Sequence, residues 1–223
     1  MRIIILFCIL YFEIFSLPGL TQTSTGGLPS FSQSGENLCK SFNNLNRPEK
    51  CWAVSHPFVA KRAWKITFHT KEIVAGLKND SLLDGDLTGG QADAFRHAYW
   101  MASLCKEIHW RKALKLGNAH EKGNIIDFKK GKPEDGIIQD KASVEMDLFN
   151  NQYGILIGKQ YKKIPENEMI EMVKHAVLRG ELKVIKKDIN GNSLDENDQI
   201  ISDWIGKWEN RRVLVSSDFI QPP

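Results

Sequence analysis

The chain has 223 residues, of which 42% are hydrophobic and 26% charged, with a formal net charge of +3. That balance excludes a disordered polyampholyte and leaves enough apolar material for one domain with a buried core. The small positive surplus gives no specific nucleic-acid signal, and runs such as Lys129-Lys130-Gly131-Lys132 read as solvated surface.

Arg2 precedes ten uncharged residues, Ile3 to Phe12, after which come Glu13, Pro18 and a Ser/Thr/Gly-rich stretch. This is the layout of a secretory signal peptide over residues 1–23, too short to span a bilayer that needs about 20 apolar residues. No clean small-x-small cleavage site stands out, so an uncleaved anchor is the competing reading. Residues 24–38 read as a flexible lead and 39–220 as a single domain. The expected product is exported, periplasmic or secreted, with no membrane span after signal removal and an unidentified substrate in the envelope or outside the cell. Export makes Cys39 and Cys51 candidates for a disulfide, with Cys105 a small buried residue.

Pro57 suits the first turn of a long helix whose apolar positions run from Phe58 to about Leu77. His69 on that helix reads as a surface or satisfied residue. A Gly/Asp loop follows, with Thr88 or Gly90 as the N-cap of a central helix over residues 92–106. A shorter helix spans about Arg111 to Lys122, and Gly123 to Gly136 reads as a loop. Ile138 to Lys162 carries the strongest helical pattern, Pro165 ends it, and Glu166 to Arg179 forms another helix closed by Gly180. Leu182 to Leu194 reads as a β-hairpin turning at Asn190-Gly191. Asp188, Asn190 and Asn192 also alternate as in a calcium loop, but Ser193 and Gln199 stand where such a loop needs Gly and Glu. A last amphipathic helix is predicted within 200–215. The fold class is mainly α, one helical domain of five or six helices with a small C-terminal β-hairpin.

Three clusters carry the chemistry. The first is Asp93-Ala94-Phe95-Arg96-His97, where Asp93 and His97 lie one turn apart on one helix face. As a first-turn acid Asp93 would favour the helix dipole and stay solvated; as a site residue it would turn inward to His97. The second is His120-Glu121. The third is Asp147, Asn150 and Asn151, residue types that are poor in helix interiors unless their side chains have a task.

Two His and one Asp meet the ligand count of a catalytic divalent metal ion such as zinc. His97, His120 and Asp147 are therefore the expected metal ligands, with Asn150 and Asn151 able to add carbonyl oxygens. Glu121 would shuttle the proton of an activated water, Asp93 would orient His97, and Arg96 would offset transition-state charge. In outline this order is similar to the helical HD phosphohydrolases, though Glu121 replaces their Asp, and to helical zinc phospholipases and nucleases, which use more histidines. A closer resemblance is carried by D-A-F-R-H-A-Y-W, G-N-A-H-E and M-D-L-F-N-N-Q-Y-G. Together these resemble an uncharacterised bacterial domain family of exported and surface proteins, over roughly residues 55 to 190. It implies that Asp93, Arg96, His97, His120, Glu121, Asp147, Asn150 and Asn151 are shared polar positions, with no established activity. The expectation is an exported metal-dependent hydrolase of phosphoester or amide bonds; the alternative is a non-catalytic envelope protein whose polar cluster ties helices together.

Overall fold

The computed structural model describes residues 40–77, 82–133 and 138–219. The expected signal peptide and flexible lead lie outside these residues, and so does Cys39, one end of the expected disulfide. Cys51 is exposed and Cys105 is buried, and no disulfide forms among the described residues. Six helices are bounded there: α1 (Arg47–Ser55), α2 (Pro57–Leu77), α3 (Gln91–Glu107), α4 (Trp110–Phe128), α5 (Lys141–Gln160) and α6 (Glu166–Leu178). They are followed by β1 (Lys183–Ile185) and β2 (Leu214–Ser216). The fold is mainly helical with a two-stranded antiparallel C-terminal pair, as the sequence implies. No helix among the described residues is long and apolar enough to cross a membrane.

The axis of the domain is α3, which buries residues on nearly every side. One apolar cluster joins its Phe95 and Tyr99 to Val173 and Val177 of α6, with Leu182 and Val184 around β1. A second joins Trp100, Met101 and Leu104 to Trp52 of α1, Ala63 of α2 and Leu116 of α4. Each such side chain contributes about 1.5–3 kcal/mol on burial, so α3 is clamped from both flanks. Burial pushes the Cys105 thiol up to about 11, which fits its place as inert filler in the second cluster.

Along the remaining face of α3 runs α5, packed unusually close. A Cβ on Gly154 would run into the Ala98 carbonyl, and one on Gly158 would lie 2.7 Å from the Ala102 carbonyl. The absence of side chains at these two positions, one turn apart, lets the backbones approach. That approach decides which polar residues of α3 and α5 can touch.

Three sequence expectations need correction. The second helical stretch does not stop at Lys122 but continues to Phe128 as α4. Gly123 is buried inside it because the Asn46 side chain fills the place a Cβ would take. Residues 200–215 form no helix; turns run through Gly206 at φ +76° to β2. There Trp204 lies 3.9 Å beneath the Arg212 guanidinium and Trp208 packs on Phe128, contacts that hold the segment as a loop. The antiparallel pair likewise takes its second strand from Leu214–Ser216, with Val184 opposite Val215. The Asn190-Gly191 turn supports a single bridge, Lys187 to Ser193. Asp188 caps that turn by accepting from the Asn190 and Asn192 amides.

Candidate functional site

Gly90 is the N-cap of α3, and the loop before it is held by its own acids. Asp84 accepts from the Gln91 and Ala92 amides, and Asp86 accepts from Thr88. This fixes the first turn, from which Asp93 points inward. Asp93 is 4% exposed, and its Oδ2 accepts from the Gly89 amide at 2.8 Å. The solvated first-turn carboxylate is therefore not what forms; Asp93 faces His97, with Oδ1 3.5 Å from His97 Nε2.

From α5, Asp147 Oδ1 comes within 3.3 Å of the same Nε2. On the other side of the ring, His97 Nδ1 donates to Asn151 Oδ1 at 3.4 Å, and Asn151 Nδ2 donates in turn to Glu121 Oε1 at 3.1 Å. Glu121, on α4, also accepts from Asn124 Nδ2 and stands 3.9 Å from His97 Nδ1. In the neutral ring, an Nδ1–H held this way leaves a lone pair on Nε2. That lone pair looks at two carboxylate oxygens, a repulsive arrangement that calls for a positive charge between them. Arg96 supplies one: its Nη2 is 2.7 Å from Asp93 Oδ1 and donates to His97 Nε2 at 3.2 Å. The Arg96 side chain is 23% exposed, so it joins the sealed cluster to solvent.

Asp93, His97 and Asp147 each offer an atom within 4.8 Å of the others. The two measured separations, 3.5 and 3.3 Å, match atoms each bound about 2.1 Å from one ion. His120, expected as a ligand, is near but outside this group. Its ring centroid is 6.3 Å from that of His97, its Nδ1 is 2.8 Å from Glu49 Oε1, and Trp100 packs edge-on against it. Asn150 also points away: it donates to the Lys183 carbonyl and accepts from the Lys183 amide, both at 2.9 Å, tying α5 to β1. Asn151 thus backs the imidazole, whereas Asn150 holds the strand.

Two contributors were not singled out from sequence. Glu49 lies ahead of the resemblance, yet Asn46-Arg47-Pro48-Glu49 is a capping-box pattern, and both halves of that box form at the start of α1. Asn124 stands one turn after Glu121, a spacing that could have marked it once α4 was known to continue.

A second polar cluster sits two turns before Asp147. Asp140 caps α5 by accepting from the Ser143 amide, and its Oδ2 accepts from Arg212 Nη1 at 2.8 Å and from Asn210 Nδ2 at 2.7 Å. Burial alone would raise the Asp140 carboxyl, but the Arg212 charge and these donors hold it below the usual carboxylate range.

A family model described as a domain of unknown function, DUF6973, matches residues 50–181. The match covers more than half of the chain, and the chain belongs to that family. It contains α2 to α6 and every residue of the imidazole cluster, while Glu49 lies one residue ahead of it. No curated protein and no solved structure matches the chain.

Proposed function

We propose that this member of the DUF6973 family is a divalent-metal-dependent hydrolase that works after export, cleaving a phosphoester or amide bond. The observation that carries the reading is the His97 ring, whose Nδ1 is backed by Asn151 and Glu121 while Nε2 faces Asp93 and Asp147 at 3.5 and 3.3 Å. An acid or amide behind the far nitrogen is how metal-binding imidazoles are oriented. Export is supported by the N-terminal pattern of Arg2 followed by Ile3 to Phe12.

In this reading Asp93, His97 and Asp147 hold the ion, which would lower the pKa of a bound water to near neutrality. Asp93 thereby takes a ligand role, and Glu121 becomes the group that fixes the imidazole. Arg96, whose Nη2 lies beside Asp93 and His97, would offset negative charge developing on the substrate. His120, with its Nδ1 on Glu49, stands close enough to receive a proton by way of one water.

Arg96 also favours a second reading. Its guanidinium already sits among the three atoms, so the cluster would be a metal-free network holding α3, α4 and α5 together. Elemental analysis of the purified protein separates the two. One equivalent of a divalent ion, lost in both His97→Ala and Asp147→Asn, supports the hydrolase; no ion in the parent protein, with both variants changing stability alone, overturns it.

A further inference from the structure

No acid stands between Glu49 and Glu72, while Lys50, Lys61, Arg62, Lys65 and Lys71 all fall in that interval. The whole chain carries a surplus of only +3, so this stretch gathers more positive charge than the protein shows on balance. Most of it is α2. The inner side of that helix buries Ala63, Val74 and Leu77, which join the two apolar clusters around α3.

At 3.6 residues per turn, Phe58, Lys61, Arg62, Lys65 and Phe68 share the opposite side of α2, within an arc of about 120°. All five are exposed, Phe58 by 74% and Phe68 by 57%. Along the axis the two phenyl rings stand about 15 Å apart, with the three cations between them. Among the described residues no carboxylate pairs with Lys61, Arg62 or Lys65. The stripe ends after Phe68, because His69 meets Glu72 and Glu166.

A single apolar side chain in water needs no explanation, but aromatic rings alternating with unanswered cations along one helix face make a combined demand. The cations call for anions, and the rings call for an apolar medium close beneath. The headgroup layer of an anionic bilayer offers both, phosphates outermost and acyl carbon just below them. A single-stranded nucleic acid would meet the cations, but its successive bases stack on rings set side by side, not on phenyls about 15 Å apart.

We propose that the outward face of α2 docks on an anionic membrane surface, with Lys61, Arg62 and Lys65 on lipid phosphates and Phe58 and Phe68 in the acyl boundary. The helix lies along the bilayer and does not cross it, in keeping with its length and composition. This contact is independent of the imidazole cluster and stands whether or not that cluster holds a metal.

The test is flotation of the full chain with vesicles of phosphatidylglycerol and phosphatidylcholine in equal parts, against vesicles of phosphatidylcholine alone. At low salt the anionic vesicles should bind at least about tenfold more tightly, a preference that added salt removes. Changing Lys61→Gln, Arg62→Gln and Lys65→Gln together should weaken anionic-vesicle binding about 100-fold, at about fivefold per cation. Phe68→Ala should weaken it about tenfold, and it covers the case in which the triple variant does not fold. Residues 1–23 are common to all these chains, so binding through the apolar leader persists in every variant and is told apart. Equal binding to both vesicle types, no binding, or a triple variant or Phe68→Ala variant that binds as the parent does overturns the proposal. So does binding to polyuridylate in place of vesicles, which would assign the stripe to a nucleic acid.

Discussion

The Asp140–Arg212 pair and the His97 cluster are two buried polar centres two turns apart on α5, and they are built on opposite rules. Around Asp140 every charge has a named answer: one guanidinium, one amide side chain and one backbone amide converge on one carboxylate. Around His97, three carboxylates, from Asp93, Glu121 and Asp147, are gathered near one imidazole and one guanidinium. The first centre is neutral in itself and fastens the C-terminal loop to the cap of α5. The second carries two more negative charges than positive when the imidazole is neutral, a cost that a purely structural centre has no need to bear. The difference separates a lock from a candidate site.

The largest effect expected is on the lock. Asp140→Asn strands a buried guanidinium and should cost about 3–5 kcal/mol in urea unfolding while leaving metal content unchanged. The pH dependence follows the same sign. The folded Asp140 carboxyl lies below its unfolded value, so its stabilisation is fully present above the ordinary carboxylate range. It is lost as pH falls through the depressed value, and Asp140→Asn should flatten that acid limb of the stability profile.

Gly154→Ala acts on the contact that brings the two helices together. The added methyl meets the Ala98 carbonyl, a backbone atom, so α3 and α5 must separate. The expected loss is about 1–3 kcal/mol, accompanied by weaker metal binding; unchanged binding would show that the close crossing does not set the ligand geometry.

Asp147→Asn sharpens the comparison directly. In metal-free protein it relieves like-charge crowding and should leave stability unchanged or raise it by about 1 kcal/mol, opposite in sign to Asp140→Asn, while abolishing metal binding. Glu121→Gln should weaken metal affinity about 10–100-fold without removing the site, as expected for a group behind the ligand. The smallest effect belongs to His120→Ala, which loses the bond to Glu49, about 1 kcal/mol, and retains the metal equivalent. Loss of the ion in that variant would restore His120 as a ligand and break the proposed assignment.

Much of the site was legible before any coordinates. Asp93 and His97 share a face because they are one turn apart, and an acid, an imidazole and amides inside apolar helices imply partners elsewhere in the chain. Their roles were not legible. Whether His97 meets His120 or Asp93 depends on ring orientation, and that is set by Asn151 from a helix more than forty residues away. Asn150 and Asn151 are adjacent and identical in type, yet one grips β1 and the other backs the imidazole, because successive helix positions point about 100° apart.

Local pattern by itself determined that helices run between Pro57 and Leu178 and that the central one is capped at Thr88 or Gly90, since these follow from 3.6-residue periodicity and backbone chemistry within a few turns. Only the tertiary structure decided that Gly123 lies inside α4, where Asn46 fills its missing side chain, and that residues 200–215 form a loop held by Trp204 and Arg212. It also decided which side chains share an ion-sized space, because that depends on how closely Gly154 and Gly158 let two backbones approach, a distance set by contacts between residues far apart in the chain.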